Sequence, residues 1–231
     1  MKSKFIPELA VFDLDNTLYE YGPCHEFGLE RCVRYFCEYF NVSQIEIGKA
    51  FKASRFKVKD RLIGVSARDR MLYFSEMLNE LNLKHDTKFL IEAYERYWKG
   101  FLAKMHLARG ALSLLQEFRQ MEVETALVTD LSSEIQYRKM IALGIHDYFD
   151  YVVTSQETQL EKSSGQPFEL LLLRMQKTQF ERVWFIGDAI QDFPANFPAT
   201  ESKFFLSPYS KRKLTGTKRI IDFEDLRRTL H

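Results

Sequence analysis

The sequence lacks long hydrophobic runs, internal repeats, segments of biased composition and any appreciable net charge. No stretch approaches the ~18 apolar residues of a membrane span, and although Lys2 and Lys4 are basic, Pro7, Glu8 and Asp13 interrupt any signal-peptide core. The 33 basic and 32 acidic residues leave a formal charge of +1, so nothing global argues for a nucleic-acid or acidic-membrane partner. Charge must act locally. Cysteine is scarce as well: Cys24, Cys32 and Cys37 are odd in number and have no metal-type spacing, which argues against a disulfide framework or a thiolate metal site. Cys32 and Cys37, expected on one helix, read as small apolar fillers, and a reduced, cytoplasmic setting is expected.

At 231 residues and 45% hydrophobic content, the chain is long enough for a substantial core in one large domain or two. From about Ile6 to Phe12 an apolar strand is expected, followed by Asp13-Leu14-Asp15-Asn16-Thr17-Leu18-Tyr19. If the strand geometry persists, Asp13 and Asp15 at i and i+2 share one face and converge on a single centre. Two neighbouring carboxylates repel unless a cation holds both, so the pair suggests a metal-dependent site.

Between about Gly22 and Met105 no strand is convincing, whereas Phe27, Cys32, Val33, Phe36 and Phe40, and later Met71, Leu72, Phe74 and Leu78, follow helical spacing. The remainder alternates as a parallel-sheet protein should. Helices are expected at about 111–120, 133–143 (with Ser133 and Gln136 at capping-box spacing), 167–175 and 223–230. Strands are expected at 123–128, 151–154, 182–186 and 203–206. The fold class is therefore α/β: a three-layer, Rossmann-like core with a parallel sheet (residues 1–20 and 106–231) and an inserted all-helical cap (21–105).

Two further strands end in polar residues: Val123 to Val128 leads to Thr129-Asp130, and Val183 to Gly187 leads to Asp188, with Asp192 four residues later. Ligands of open α/β sheets bind beyond the carboxyl ends of the strands, so these tips can meet the Asp13 loop. Lys162 adds a positive charge between them. Each motif taken alone has a plain reading as turn, cap or solvated charge. Together and in this order they do not.

In these motifs the chain resembles the haloacid dehalogenase superfamily of hydrolases. The DxDxT motif reads Asp13-Leu14-Asp15-Asn16-Thr17, the Ser or Thr at a strand end is Thr129, the lysine ahead of a helix is Lys162 with Phe168 at the usual aromatic spacing, and GDxxxD reads Gly187-Asp188-Ala189-Ile190-Gln191-Asp192. One departure is visible: the family usually has Pro directly after the lysine, whereas here Ser163-Ser164-Gly165-Gln166 precede Pro167, which leaves Lys177 and Lys203 as worse-spaced alternatives.

The resemblance implies a Mg2+-dependent phosphomonoester hydrolase that acts on a small phosphorylated metabolite of the nucleotide or sugar-phosphate type. It implies that Asp13 attacks phosphorus to form an aspartyl-phosphate, and that Asp15 serves as general acid and then base. Thr129 Oγ, the backbone N–H of Asp130 and the Lys162 ammonium are implied to hold the phosphoryl oxygens. Asp13, the backbone carbonyl of Asp15 and Asp188 are implied metal ligands, with Asp192 supporting the metal from outside or through water.

Alternatives within the same fold are a phosphomutase, a haloacid dehalogenase (a branch that generally lacks an acid at the Asp15 position) and a catalytically weak binding protein. Within the cap, residues 49–61 are locally basic and read as a solvated helix face ahead of a substrate-anion contact; Arg68 and Arg70 share that ambiguity. Tyr19, Tyr21 and His25 are candidates for the cap–core entrance, with His25 expected at the surface.

Overall fold

The computed structural model of the protein describes residues 6–231; Lys2 and Lys4 lie outside them. Along the chain, β1 (Leu9–Phe12) is followed by four helices, α1 (Tyr21–Phe40), α2 (Gln44–Arg61), α3 (Arg70–Glu80) and α4 (Thr87–Ala103). The α/β remainder comprises α5 (Ala111–Gln120), β2 (Glu124–Thr129), α6 (Ser133–Ala142), β3 (Tyr151–Thr154), α7 (Ser155–Thr158), α8 (Gln166–Met175), β4 (Phe180–Gly187), β5 (Ala199–Leu206), β6 (Lys218–Arg219) and α9 (Phe223–Arg227). Two compact units result, one running to Tyr21 and resuming at His106–His231, the other Gly22–Met105. No helix among the described residues is long and apolar enough to cross a membrane.

The six strands form one parallel sheet in the order β3-β2-β1-β4-β5-β6. All four residues of β1 are buried, as a central parallel strand covered on both faces requires. Alternation sends Leu9 and Val11 to one layer, where they pack with Val128, Val153, Phe168, Val183 and Phe185. Phe12 meets the rings of Phe118 and Phe149 with centroids 6.3 and 5.8 Å away. Strand order reverses at β1, whose neighbours are β2 and β4, so a crevice opens beyond Phe12 and Gly187.

The expected strands are displaced at their edges. β1 begins at Leu9 rather than Ile6, and β5 begins four residues earlier than Lys203 because its first half is an exposed edge with no apolar run to mark it. The 133–136 capping box does not form. Ser132 is the N-cap of α6, and Gln136 is buried and turned to other partners.

In the helical unit, Ser43 and Glu46 close a capping box on α2, while Asp69 and Asp86 cap α3 and α4. A Cβ on Gly28 would lie 2.7 Å from the Tyr97 carbonyl oxygen, so glycine there lets α1 and α4 approach closely. Cys24 and Cys32 are buried fillers and all three thiols are free.

Candidate active site

The chain leaves β1 and turns. The N–H groups of Thr17 and Leu18 both donate to the Leu14 carbonyl, and Asn16 adopts a left-handed φ of 60°, a conformation asparagine tolerates better than most side chains. Asp13 still donates its N–H to the Ile186 carbonyl at 2.9 Å, so the turn begins only at Leu14, between the two aspartates. Their side chains take different partners.

Asp13 is buried, accepting from Thr17 Oγ1 at 2.7 Å on one oxygen and from Lys162 Nζ at 2.5 Å on the other. Lys162 also pairs with Asp192, while its backbone N–H donates to Asp130 Oδ1 at 3.1 Å. Lys162 is thus the lysine beside Asp13. Lys177 instead lies 3.6 Å from Glu8, and Lys203 3.4 Å from Glu201. The missing adjacent proline is compensated by a short turn, Lys162–Ser164, and by Gly165 at φ 83° ahead of α8, whose first turn holds Pro167.

After β4, the loop Gly187-Asp188-Ala189 folds over Asp192. One Asp192 oxygen accepts the N–H groups of Asp188 and Ala189, both at 2.9 Å. Glycine is required before this loop, since a Cβ on Gly187 would fall 2.3 Å from the Cβ of Asp192. Ser210 Oγ donates to the Asp188 carbonyl and Ser207 Oγ to the Asn16 carbonyl, each at 2.6 Å, so the segment after β5 braces both aspartate loops.

Asp13, Asp188 and Asp192 each bring one carboxylate oxygen within 4.8 Å of the others. Burial pushes the Asp13 carboxyl well above the ordinary range, with Asp192 and Asp188 adding to the rise against the opposing Lys162 charge. Asp188 is raised to about 6, again by burial and then by Asp192. Burial alone acts to lower Lys162, but the Asp13, Asp192 and Asp130 charges outweigh it and hold the ammonium protonated. Three hard oxygen donors crowded into a buried space of excess negative charge fit a small divalent cation such as Mg2+. The Asp15 side chain lies outside this trio, so any part it has in metal binding falls to its backbone carbonyl.

Thr129 is fully buried at the tip of β2, where its Oγ1 accepts from Gln136, whose Nε2 also donates to the Asp130 carbonyl at 2.7 Å. Asp15 accepts from Lys139 Nζ at 2.7 and 2.9 Å and from the Tyr19 hydroxyl. Gln136 and Lys139 were not anticipated from the sequence. The available signal was their place on the buried face of α6, beside Ile135 and Met140.

Within the helical unit, His25 is half-buried rather than at the surface, with Nδ1 2.7 Å from the Tyr97 hydroxyl; burial, then Arg70 and Arg55, lower its pKa to about 4. Arg70 is buried, donates to the Tyr97 hydroxyl at 3.3 Å and lies over the Tyr73 ring. Residues 49–61 are largely a solvated face, with Lys57 paired to Glu80 and Arg61 to Glu76.

The haloacid dehalogenase-like hydrolase family model matches residues 7–197. The chain is 34% identical over 187 residues to a ribulose-1,5-bisphosphate 5-phosphatase of Halopiger xanaduensis, covering 79% of this chain and 77% of that protein. It is 26% identical to a glyceraldehyde 3-phosphate phosphatase of Methanocaldococcus jannaschii, covering 78% and 75%. The solved structure of the HAD-hydrolase YfnB of Bacillus subtilis, bound to magnesium, is similar in fold with a TM-score of 0.66 at 17% identity, covering 97% and 98%.

Proposed function

The chain belongs to the haloacid dehalogenase-like hydrolase family, and on that premise we propose that it is a Mg2+-dependent phosphatase of small sugar phosphates that works through an aspartyl-phosphate at Asp13. One observation carries the reading: a buried Asp13 carboxylate, oriented by Thr17 and Lys162, lies against a second and third carboxylate at the switch point of the sheet. The names of the two phosphatase relatives support the sugar-phosphate class.

Asp13, Asp188 and the Asp15 carbonyl would hold the cation, with Asp192 bracing the Asp188 loop. The bound cation supplies charge neutralisation, which lets an anionic nucleophile approach an anionic ester. An Asp13 oxygen bonds to phosphorus as the ester P–O bond breaks, and Asp15 gives a proton to the departing oxygen. Asp15 then takes a proton from the water that displaces the phosphoryl group from Asp13, releasing inorganic phosphate and restoring both carboxyl groups. Lys162, Thr129 Oγ1 and the Asp130 N–H are assigned to the equatorial oxygens, where charge spreads in the transition state.

Purified protein with Mg2+ is assayed for phosphate release from ribulose 1,5-bisphosphate, glyceraldehyde 3-phosphate, nucleoside monophosphates and p-nitrophenyl phosphate, with halide release from 2-chloropropionate as the contrasting reaction. Release of phosphate from the sugar phosphates, abolished by Asp13→Asn, is expected. Undiminished turnover by that variant, or halide release alone, overturns the assignment.

A further inference from the structure

We propose that Lys139 is a positioning residue for Asp15, and that the site is organised by two buried lysines serving different aspartates: Lys162 for the nucleophile and Lys139 for the group that handles the leaving oxygen. This rests on the phosphatase reading and adds to it a residue outside the motifs that carry that reading.

The buried face of α6 presents Ile135, Gln136, Lys139 and Met140. A lysine on such a face ordinarily runs its stem along the apolar surface and leaves its ammonium in water. Lys139 does not, because its side chain is fully enclosed. A buried ammonium is costly unless it is paired and hydrogen-bonded, and here Nζ donates to both Asp15 oxygens, at 2.7 and 2.9 Å. It also stands 5.8 Å from the ring centroids of Tyr19 and Tyr21, and Tyr19 returns its hydroxyl to Asp15.

The asymmetry of the pair indicates its use. Asp15 is 24% exposed whereas Lys139 has no exposure, so the cation is the fixed member and the carboxylate the accessible one. An aspartate on a tight turn has two side-chain torsions to settle, and a two-oxygen grip from an immobile ammonium settles both. Folding alone gives little reason for a cation here, since replacing a buried ion pair by apolar residues of similar volume is often neutral or stabilising. Lys162 grips Asp13 and Asp192, so Asp15 takes its own anchor in Lys139.

Lys139→Met keeps the stem and removes the charge. Its kcat/KM, which reports the steps up to departure of the leaving group and so leaves out the aspartyl-phosphate hydrolysis common to both esters, is measured on p-nitrophenyl phosphate, whose aryloxide departs without a proton, and on glyceraldehyde 3-phosphate, whose alkoxide needs one. Misplacing a reacting group costs on the order of 10²-fold or less, so kcat/KM on the sugar phosphate should fall about tenfold or more. On the aryl ester kcat/KM should fall about threefold or less. Lys139→Arg should restore most of the sugar-phosphate rate, and Lys139→Gln gives the same comparison should the methionine variant fail to fold. In an Asp15→Asn background the lysine substitution should change sugar-phosphate turnover by less than about twofold, because residues acting as a unit are not additive.

Equal losses on both esters, or a full additional loss in the Asp15→Asn background, overturn the role of Lys139 and leave the phosphatase reading intact. A parent enzyme that hydrolyses neither ester overturns the phosphatase reading itself, and an Asp15→Asn variant with undiminished sugar-phosphate turnover overturns the acid–base role of Asp15; either result takes this assignment with it.

Discussion

Magnesium should stabilise this protein in a pH-dependent way through Asp188. Two unit charges 4.8 Å apart, the outer separation of the carboxylate oxygens of Asp13, Asp188 and Asp192, repel by about 3.5 kcal/mol at an effective dielectric constant near 20. Lys162 relieves only part of this. A cation present at a hundred times its dissociation constant adds about 2.7 kcal/mol to the native state. For a chain of this length each kcal/mol moves Tm by about 2–4 °C, so a rise of roughly 5–11 °C is expected.

The sign of the pH dependence follows from Asp188, raised from 3.8 to about 6 by burial and then by Asp192. Between those values the cation-free native state holds more protons than the unfolded chain, so this group's contribution to stability falls as pH rises through the window. Cation and proton compete for the same oxygens, so the magnesium increment grows over the same interval. Scanning calorimetry with EDTA or Mg2+ at pH 5 and 7.5 should give the larger increment at pH 7.5, and Asp188→Asn should reduce it to below about 2 °C. An increment unchanged in Asp188→Asn, or larger at pH 5, refutes a cation site that includes Asp188.

Two further outcomes follow from neighbouring geometry. Gly187→Ala places a Cβ 2.3 Å from that of Asp192; the displaced Asp192 loop should cost about 1–3 kcal/mol in urea unfolding and lower phosphate release at least tenfold, and an unaltered variant would contradict the tight packing of that loop. His25, lowered to about 4 by burial, Arg70 and Arg55, should show no NMR titration of its ring between pH 5.5 and 8. Because its folded value lies below the unfolded 6.5, this histidine withdraws stability as pH falls from 6.5 toward 4.

Much of the framework was legible because central parallel strands announce themselves: Leu9 to Phe12 and Val183 to Ile186 are continuous apolar runs ending in polar turns, and the motif order placed Asp13, Thr129, Lys162 and Asp188 at one edge of the sheet. The destination of Asp15 was not legible. The i, i+2 spacing says nothing of its partners, which come from α6 (Lys139) and from the turn itself (Tyr19).

Gln136 had a local explanation as a capping residue, but the tertiary partners Thr129 and Asp130 claim it instead. Lys139 was not legible, because the pattern of α6 alone does not distinguish an enclosed ammonium from a solvated one. β6 comprises two exposed residues and exists only through its pairing with β5, while α7 depends on the Thr154–Glu157 capping box formed after β3 ends.

The proposed covalent step is tested most directly by trapping it. The enzyme is mixed with Mg2+ and a turning-over sugar phosphate, quenched, reduced with borohydride and digested, and the peptide bearing residue 13 is analysed by mass spectrometry. The account predicts conversion of Asp13 to homoserine only when substrate and Mg2+ are both present; rapid phosphate release with Asp13 unmodified, or with the mark on another residue, contradicts it.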